Sequence, residues 1–319
     1  MTNKTLVTGA TGFVGGRLLQ RLSREDGRAV VAAVRSVNAA LPAGVATVLV
    51  DGLGPATDWS PALEGVVAVV HCAARAHVMK ELAVDPLTVY RQVNVEGTAH
   101  LARQAASAGV RRFVFLSSIK VNGEFTEVGQ SFTANDAPAP EDPYGISKHE
   151  AEQLLRQIAA ETGMEVVIVR PPLVYGPGVK ANFQSMMRWL ARGVPLPLAA
   201  VTKNRRSLVA LDNLVDLIMT CIDHPAAANQ TFLVADGEDV STAELLLRMA
   251  RAMNSKARLL PVPVWLLELA ASLLGKRDVA RRLCGSLQVD ISHTRQRLGW
   301  APPIGLDEGL RRAVQGLNR

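Results

Sequence analysis

Cysteine is scarce in this chain, and the three cysteines lie far apart, at positions 72, 221 and 284. An odd number of distant thiols predicts neither a disulfide framework nor a cysteine-based metal site. The pattern is typical of a reducing compartment, so we expect a cytoplasmic protein without a bound metal.

Aromatic residues are also few, at 4% of the chain, and the basic residues form no long run. The formal net charge is nevertheless +6 and the pI is about 9.5, which favours anionic ligands. Nucleic-acid surfaces usually combine clustered basic residues with interleaved aromatic ones, and this chain lacks that combination. We therefore expect a phosphorylated small molecule, and no nucleic acid, as the partner.

A long uninterrupted hydrophobic run is missing as well. The most apolar stretch, Val262 to Leu274, contains Glu268 and is too short to span a bilayer, so it predicts a buried or interfacial helix. The N-terminus enters a predicted strand almost at once, which argues against a signal peptide. With 48% hydrophobic and 20% charged residues among 319, the chain has the composition of one large or two modest globular domains.

A glycine-rich segment follows the first predicted strand, Lys4 to Thr8. The segment runs Gly9-Ala10-Thr11-Gly12-Phe13-Val14-Gly15-Gly16, and leucines then recur at helical spacing. Glycines at 9, 12 and 15 permit a tight turn and a close approach of the backbone to a pyrophosphate, which the helix N-terminus then faces. The alternative is a simple turn, but a position between a strand and a helix favours dinucleotide binding.

The residues after the second and third predicted strands bear on which dinucleotide is bound. Arg28 to Val34 is followed by Arg35, where an NAD site usually has an acid on the ribose hydroxyls. Arg35 instead predicts a contact with the 2′-phosphate of NADP(H), the alternative being an ordinary solvated arginine. Ala46 to Val50 is followed by Asp51, which either accepts a hydrogen bond from the adenine amino group or caps the next turn.

Further strands alternate with helices and predict a Rossmann-like, doubly wound parallel α/β sheet. Strands are predicted at Val66 to Val70, Arg112 to Leu116 and Glu165 to Arg170, and a long helix that carries Asn94 at Pro86 to Ala108. His71, which follows the fourth strand, is predicted to be a packed residue rather than a catalyst.

The alternation weakens after the sixth strand. Residues 171–178 are interpreted as an irregular turn and residues 204–207 as a basic turn, with single helices between and beyond them. We therefore expect a dinucleotide-binding domain at 1–174 and a smaller mixed region at 175–319 that completes a substrate cleft.

A tyrosine and a lysine one helical turn apart form the candidate catalytic pair. Tyr144 and Lys148 share one face of a helix that Asp142-Pro143 is expected to begin, as N-cap and first-turn residue. A neighbouring ammonium lowers the pKa of a phenol, which lets it exchange a proton with a substrate hydroxyl or carbonyl. The spacing alone is more typical of an exposed helix face. The other candidate residues, however, fall at strand ends or on the helices after them, which favours catalysis.

Several motifs occur together in one order along the chain. They are Thr8-Gly9-x2-Gly12-x2-Gly15, His71-Cys72-Ala73-Ala74, Asn94, Ser117-Ser118, Tyr144-x3-Lys148, Arg170-Pro171, Val174-Tyr175-Gly176-Pro177 and Leu298-Gly299-Trp300. Over its whole length the chain resembles extended short-chain dehydrogenases/reductases of the nucleotide-sugar epimerase/dehydratase group. It is similar in particular to UDP-glucose 4-epimerases and to O-antigen UDP-4-keto-6-deoxy-hexosamine 4-reductases. The resemblance implies an NAD(P)-dependent enzyme that acts at C4 of a UDP-sugar.

The resemblance also implies roles for individual residues. Tyr144 would be the acid/base, Lys148 would hold the nicotinamide ribose, Ser118 would bind the reacting oxygen and Asn94 would support the proton relay. The implied cofactor-binding residues are Gly9, Thr11, Gly12, Phe13, Val14, Gly15, Arg35, Asp51, Gly52, Cys72, Ala73, Ala74, Tyr144, Lys148 and Pro171. The implied substrate-binding residues are Ser118, Lys120, Tyr144, Asn182, Arg206 and Arg282. Arg281 is an alternative to Arg282 at the diphosphate, and a solvated helix face is the alternative for both.

The sequence departs from the pattern of this group at several places. Arg35 replaces the expected acid, and Asn122 stands where many relatives have a tyrosine. Ser207-Leu208-Val209-Ala210 lacks the Asp and His that are common after the diphosphate arginine. Ile119-Lys120 stands in place of the acid pair of 4,6-dehydratases, so dehydration is not expected.

The favoured prediction is a UDP-4-keto-6-deoxy-hexosamine 4-reductase that uses NADP(H), because NADPH commonly serves biosynthetic reductions. One alternative is a UDP-hexose 4-epimerase (UDP-glucose or UDP-GlcNAc), which needs the same catalytic residues. The other is a non-catalytic dinucleotide sensor, which the intact Ser118, Tyr144 and Lys148 argue against. The two long helices, Pro86 to Ala108 and Tyr144 to Thr162, predict the four-helix bundle of a homodimer as in relatives.

Overall fold

Parallel strands build the main sheet of the molecule. A computed structural model describes residues 3–36, 39–75, 85–127 and 129–316, without the side chains of Ala181 and Asn182. The strands are β1 Asn3–Thr8, β2 Arg28–Val34, β3 Ala46–Leu49, β4 Val66–His71, β5 Arg112–Leu116, β6 Glu165–Arg170, β7 Leu173–Tyr175, β8 Arg206–Ala210, β9 Thr231–Leu233 and β10 Asp239–Val240. Within these described ranges, seven strands pair in the order β3-β2-β1-β4-β5-β6-β9, and each pairing is parallel. The predicted doubly wound α/β sheet is therefore confirmed.

The direction in which the sheet grows reverses between β1 and β4. These strands are neighbours, and Thr8 at the end of β1 pairs with His71 at the end of β4. In open parallel sheets, ligands bind outside the carboxyl ends of the strands at such a reversal. The segments that follow Thr8 and His71 therefore form the floor of the expected ligand crevice.

Helices cover both faces of the main sheet. The α-helices are α1 Phe13–Leu22, α2 Ser60–Leu63, α3 Pro86–Tyr90, α4 Gly97–Ser107, α5 Pro143–Thr162, α6 Ala181–Ala191, α7 Leu211–Asp223, α8 Thr242–Ala252, α9 Val264–Leu273, α10 Arg277–Cys284, α11 Ser292–Leu298 and α12 Leu306–Gln315. On one face, α1 and α7 bury Leu18 and Leu214 in a shared cluster. On the other, α4 and α5 bury Leu101 and Leu155. Each buried leucine contributes about 1.5–3 kcal/mol, so these two layers hold α1 and α5 firmly against the strand ends.

A second, smaller sheet lies in the C-terminal part of the chain, where β7 and β8 pair in parallel and β8 and β10 antiparallel. The predictions of an irregular turn over 171–178 and a basic turn over 204–207 are wrong in part, because each range contains strand residues. These strands form because β7 pairs with β8, about thirty residues further along the chain. Neither segment alone has a pattern that predicts a strand. β9 also comes from this half but joins the main sheet, so the division at residue 174/175 stays a prediction.

The long helix predicted over Pro86 to Ala108 contains a π-helical turn. The structure has α3, then a π-helical turn at Arg91–Glu96, then α4. Asn94 lies in this turn, is buried, and exchanges hydrogen bonds with the backbone of Arg75. The predicted long helix is therefore present, with one π-helical turn where Asn94 bonds to another segment. Such π-turns frequently occur at functional sites.

Helix α9 corresponds to the most apolar stretch of the sequence. The prediction of a buried helix is wrong, since no residue of α9, all of which the structure describes, is buried. Val264 and Leu267 pack against the core beside the small sheet, while Trp265 and Leu273 are 65% and 81% exposed. The interfacial interpretation stays a prediction. Across the described ranges, no helix has the length and hydrophobicity needed to cross a bilayer.

A buried ion pair fastens α5 to the sheet. The fully buried Glu152 carboxylate accepts hydrogen bonds from Arg170 Nε at 2.8 Å, the Ser117 hydroxyl at 2.6 Å and Arg156 Nη2 at 3.1 Å. Arg170 also donates to Asn122 Oδ1 at 2.9 Å. Because both charges are removed from water, the desolvation cost is offset only while all of these partners are present.

Replacing Glu152 by glutamine should therefore destabilise the fold by about 3–5 kcal/mol, because Arg170 stays buried without its counter-charge. Glu161→Gln, on the exposed side of the same helix, is the matched control and should change stability by less than about 0.5 kcal/mol. Urea unfolding followed by circular dichroism measures both. A loss below about 1 kcal/mol for Glu152→Gln would show that the pair does not anchor α5.

Candidate active site

The glycine segment forms a cradle at the end of β1. Gly9 has a φ of +66°, and a Cβ there would lie 2.7 Å from the Ala73 nitrogen. A Cβ on Gly15 would lie 2.2 Å from the Gly9 oxygen, and one on Gly12 would lie 3.0 Å from the same atom. Gly12 is the N-cap of α1 and supplies no side-chain hydrogen bond. The cradle therefore has the space and the helix N–H groups that the pyrophosphate of a dinucleotide requires.

The end of β4 forms the neighbouring wall of this cradle. The Thr8 hydroxyl contacts His71 Nδ1 at 2.7 Å and accepts from the Ala73 N–H at 3.3 Å. His71 is fully buried, contacts the Thr98 hydroxyl at 3.0 Å, and burial lowers its pKa to about 3. His71 is thus a neutral packed residue, as predicted, while the partly exposed residues 72–74 line the wall.

The ends of β2 and β3 lie side by side. Val34 pairs with Leu49, and the Val50 N–H donates to the Val34 carbonyl at 2.9 Å. Arg35 and Asp51 therefore follow neighbouring strand ends, and both side chains are exposed. This is where the adenosine ribose of a dinucleotide lies in doubly wound folds, so the guanidinium is open to a ligand there.

Tyr144 lies in the first turn of α5. The Asp142 carboxylate accepts from the Gly145 N–H at 2.7 Å as N-cap, and Pro143 is the first helical residue, as predicted. The Tyr144 ring meets Tyr90 edge-on, with 6.1 Å between the ring centres. Burial raises the pKa of the Tyr144 phenol, and the nearby Asp142 and Tyr90 add to the increase. The predicted lowering of this pKa is therefore wrong for this structure, because burial and the neighbouring Asp142 and Tyr90 all raise it.

Lys148 lies one turn further along α5. It is buried, its Nζ donates to the Leu116 carbonyl at 2.8 Å, and the same atom is 4.4 Å from the centre of the Phe115 ring. The Tyr144 ring centre is 5.9 Å away. Burial lowers the pKa of Lys148 to about 8, against the opposing effect of Cys72. At pH 7 the side chain is still mostly an ammonium, with donors left to hold ribose hydroxyls.

Ser118 follows β5 and begins a short 3₁₀ turn at Ile119–Val121. Its hydroxyl oxygen accepts from the Lys120 N–H at 3.3 Å, and the side chain is partly exposed. The Ile119 N–H donates to the Pro171 carbonyl at 3.0 Å. The loops after β5 and β6 are thereby joined, so Ser118 and the buried Pro171 lie on one connected rim.

A short chain of hydrogen bonds links Asn94 to the backbone of Tyr144. Asn94 Nδ2 donates to the Ser147 hydroxyl at 3.0 Å, and that hydroxyl donates to the Tyr144 carbonyl at 2.8 Å. Ser147 is not among the residues predicted from the sequence, although a small hydroxyl residue between Tyr144 and Lys148 was an available signal. Asn94 and Ser147 therefore position the first turn of α5.

Lys120 is engaged in ion pairs. Its Nζ contacts Glu124 Oε1 at 2.9 Å and the Asp142 carboxylate. A Cβ on Gly145 would lie 2.9 Å from the Lys120 oxygen, so α5 packs closely on this loop. Lys120 thus ties the loop after Ser118 to the N-cap of α5, and its predicted contact with substrate stays a prediction.

Two arginines of the C-terminal half lie together. Arg206 Nη1 donates to the Arg282 carbonyl at 2.7 Å and to the Gly285 carbonyl at 3.3 Å. Burial lowers the pKa of Arg206, and the charge of Arg282 adds to the decrease. Two guanidinium groups in such proximity favour an anion beside them. Arg281 instead stacks on the Phe125 ring at 4.2 Å.

A groove of about 270 Å³ connects Arg282 to the start of α5. Its lining residues are Glu124, Phe125, Glu141, Asp142, Asp278, Arg281 and Arg282. Arg282 and the N-cap of α5 therefore border one space. Asn182 is the second residue of α6, and its side chain lies outside the described part of the chain.

Comparisons with known proteins agree with this geometry. The NAD dependent epimerase/dehydratase family matches residues 5–235. The chain is 52% identical over 315 residues to a UDP-glucose 4-epimerase of Vibrio cholerae, covering 99% of this chain and 95% of the relative. It is 26% identical to the N-acetyl-alpha-D-glucosaminyl-diphospho-ditrans,octacis-undecaprenol 4-epimerase of Escherichia coli O157:H7, covering 99% and 95%.

Solved structures share the same architecture. MoeE5, solved in complex with UDP-glucuronic acid and NAD, has a TM-score of 0.78 and 26% identity, with 99% of each chain covered. The predicted resemblance is therefore confirmed, as is the prediction of an NAD(P)-dependent enzyme of nucleotide-sugar chemistry. The chain belongs to the NAD dependent epimerase/dehydratase family, and it is an extended short-chain dehydrogenase/reductase.

Proposed function

We propose that this protein is an NAD(P)-dependent UDP-sugar 4-epimerase. The observation that carries the proposal is the 52% identity, over nearly the full length of both chains, to the Vibrio cholerae UDP-glucose 4-epimerase. The 4-reductase that the sequence favoured has support only at the level of the family. The 4-epimerase, which was the alternative, is therefore the favoured function. The intact Ser118, Tyr144 and Lys148 argue against a non-catalytic sensor.

The reaction would interconvert the two C4 epimers of the sugar through a 4-keto sugar. A bound nicotinamide supplies the acceptor and donor of the hydride. Tyr144 moves the accompanying proton at the C4 oxygen, and the Ser118 hydroxyl binds the same oxygen. Because burial raises the pKa of Tyr144, the phenol is protonated at neutral pH. It is therefore well suited to return a proton to the 4-keto oxygen.

Lys148 supports the opposite step, in which Tyr144 accepts a proton. A phenolate requires a nearby positive charge, and the ammonium of Lys148 lies one helical turn away. Its bond to the Leu116 carbonyl holds it beside the strand end that leads to Ser118. Lys148 would also hold the nicotinamide ribose, so a single side chain orients the cofactor and tunes the phenol.

Arg206 and Arg282 are the proposed partners of the UDP diphosphate. Among the residues that the structure describes, no carboxylate forms an ion pair with either guanidinium. Arg206 donates to backbone carbonyls instead. A diphosphate would supply the missing counter-charge. The predicted homodimer and the predicted cytoplasmic location stay predictions.

Tyr144→Phe should lower 4-epimerase turnover by ~10²–10⁴-fold, because it removes the proton carrier and keeps the ring. The dinucleotide content of the purified protein should not change, which separates lost chemistry from lost cofactor. The assay incubates UDP-glucose or UDP-GlcNAc with enzyme and resolves the 4-epimers by chromatography. Turnover within a few-fold of wild type would remove Tyr144 from the mechanism.

The same assay tests the reaction itself. A wild-type enzyme that leaves both UDP-sugars unchanged, but reduces a UDP-4-keto-6-deoxy sugar with NADPH, would replace the epimerase by the reductase.

Arg206→Ala should weaken UDP binding about 10- to 100-fold, the effect of one lost charge-assisted contact of about 1.5–3 kcal/mol. Arg205→Ala is the matched control, since Arg205 is the exposed neighbour and bonds to the carbonyls of Thr202 and Asn204. Calorimetric titration with UDP compares the two variants. Equal affinity in Arg206→Ala and wild type would place the diphosphate elsewhere.

We also propose that Arg35 gives this chain a preference for the 2′-phosphorylated dinucleotide. Its support is the exposed guanidinium at the end of β2, with no acid following that strand. NAD is the dinucleotide bound in MoeE5, so the preference is proposed for Arg35 in this chain and not for the family.

Wild type should bind NADP⁺ about tenfold more tightly than NAD⁺, on the order of one charge-assisted contact. Arg35→Asp should reverse this order, because a carboxylate accepts from the ribose hydroxyls and repels the phosphate. Arg24→Asp, an exposed arginine after α1, controls for the change in net charge. The affinities are measured on protein freed of dinucleotide. Equal affinities of wild type for NADP⁺ and NAD⁺ would show that Arg35 does not determine which dinucleotide is bound.

A further inference from the structure

The outward side of α9 is an apolar face. It consists of Trp265, Leu266, Leu269 and Leu273, which are 65%, 41%, 49% and 81% exposed. Leu274 extends it at the C-terminal end and is 71% exposed. Large apolar side chains contiguous on one exposed helix face mark an interaction surface, unlike single exposed leucines.

The charge on α9 lies on the other side. At 3.6 residues per turn, Glu268 projects near Val264, well away from Leu266 and Leu273. The Glu268 side chain is itself exposed, but it lies outside the apolar face. The helix therefore presents Trp265, Leu266, Leu269 and Leu273 to solvent as a face without charge, while Val264 and Leu267 pack on the core.

Cations flank the apolar face. Arg258 lies six residues before α9, and Lys276 and Arg277 follow it after Leu274 and Gly275. All three basic side chains are exposed. Between residues 256 and 282 the chain has six basic residues and two acids, Glu268 and Asp278. Arg277 Nε donates to the Ser272 hydroxyl at 2.8 Å, which holds one guanidinium against the last turn of α9.

A second copy of this chain is a poor occupant of the face. Ten residues of helix are about 15 Å long, which is short for the roughly 800 Å² per partner of a stable interface. Basic residues also lie at both ends of α9. If two copies of α9 packed together, parallel or antiparallel, the basic residues of one copy would lie beside those of the other. An anionic lipid surface meets neither difficulty. Its headgroups neutralise the basic residues, and its apolar layer is not limited to the length of one helix.

We propose that the apolar face of α9 inserts into the interfacial region of an anionic lipid surface. Its tryptophan, leucines and flanking cations are the side chains that interfacial helices use. The acyl layer takes Leu266, Leu269 and Leu273, and anionic headgroups neutralise Lys276 and Arg277. The face contains no residue of the catalytic set, so vesicle binding tests this proposal whether or not the proposed epimerase reaction is found.

The test is flotation of the full-length protein with lipid vesicles. Wild type should bind vesicles of phosphatidylcholine mixed with an equal amount of phosphatidylglycerol, and should bind pure phosphatidylcholine about tenfold more weakly. Leu269→Glu should reduce binding to the anionic vesicles about tenfold or more. Leu247→Glu is the matched control, since Leu247 is 43% exposed on α8, and it should bind as wild type does.

Leu273→Glu provides a second variant, and unfolding curves matching wild type show that both variants are folded. The fluorescence of Trp265 should shift to shorter wavelength when vesicles are added, and Trp265→Phe should remove that shift. Wild type that stays unbound to anionic vesicles would overturn the proposal, as would Leu269→Glu binding as tightly as wild type. A lower oligomeric mass in Leu269→Glu without vesicle binding in wild type would instead assign the face to a second copy.

Discussion

A single buried carboxylate holds the catalytic helix in place on the sheet. Glu152 reaches the end of β5 through Ser117 and the end of β6 through Arg170. Lys148 and Tyr144 lie one and two turns before it, at the four-residue spacing that keeps side chains on one helix face. The docking of Glu152 therefore determines where the ammonium and the phenol lie relative to both strand ends. The apolar layer beneath α5 and the hydrogen bond from Asn94 to Ser147 hold the same helix in the same position.

Burial acts on the charges of the site in a consistent way. It lowers the pKa of Lys148 to about 8, lowers the pKa of Arg206 and raises the pKa of Tyr144. Each shift disfavours the charged form of its group. An anionic ligand beside Lys148 and Arg206 favours their charged forms again, so ligand binding and protonation are coupled at these residues. The excess of basic residues in the chain thus has a specific use where a diphosphate is proposed to bind.

Local sequence was sufficient for the parts of the site that depend on local physics. The N-cap Asp142 and the turn at Gly9 were predictable, because capping and left-handed backbone conformations have residue preferences of their own. The π-turn at Asn94 and the pairing of β7 with β8 were not, since both depend on partners distant in the chain. The direction of the shift in the Tyr144 pKa was mispredicted for a related reason. The shift depends on how deeply the phenol is buried, which spacing along a helix does not reveal.

Helix α10 connects the proposed diphosphate site to the apolar face of α9. Its first residue, Arg277, bonds to the last turn of α9, and Arg282 near its other end accepts from Arg206. Arg277 and Arg282 are five residues apart in this helix, so the two contacts are separated by about 7.5 Å, or about one and a half helical turns. A shift of α9 on a lipid surface would therefore displace a partner of Arg206. By thermodynamic linkage, the two binding events would then affect each other equally. If docking on lipid changes the affinity for diphosphate by some factor, bound diphosphate changes the affinity for lipid by the same factor.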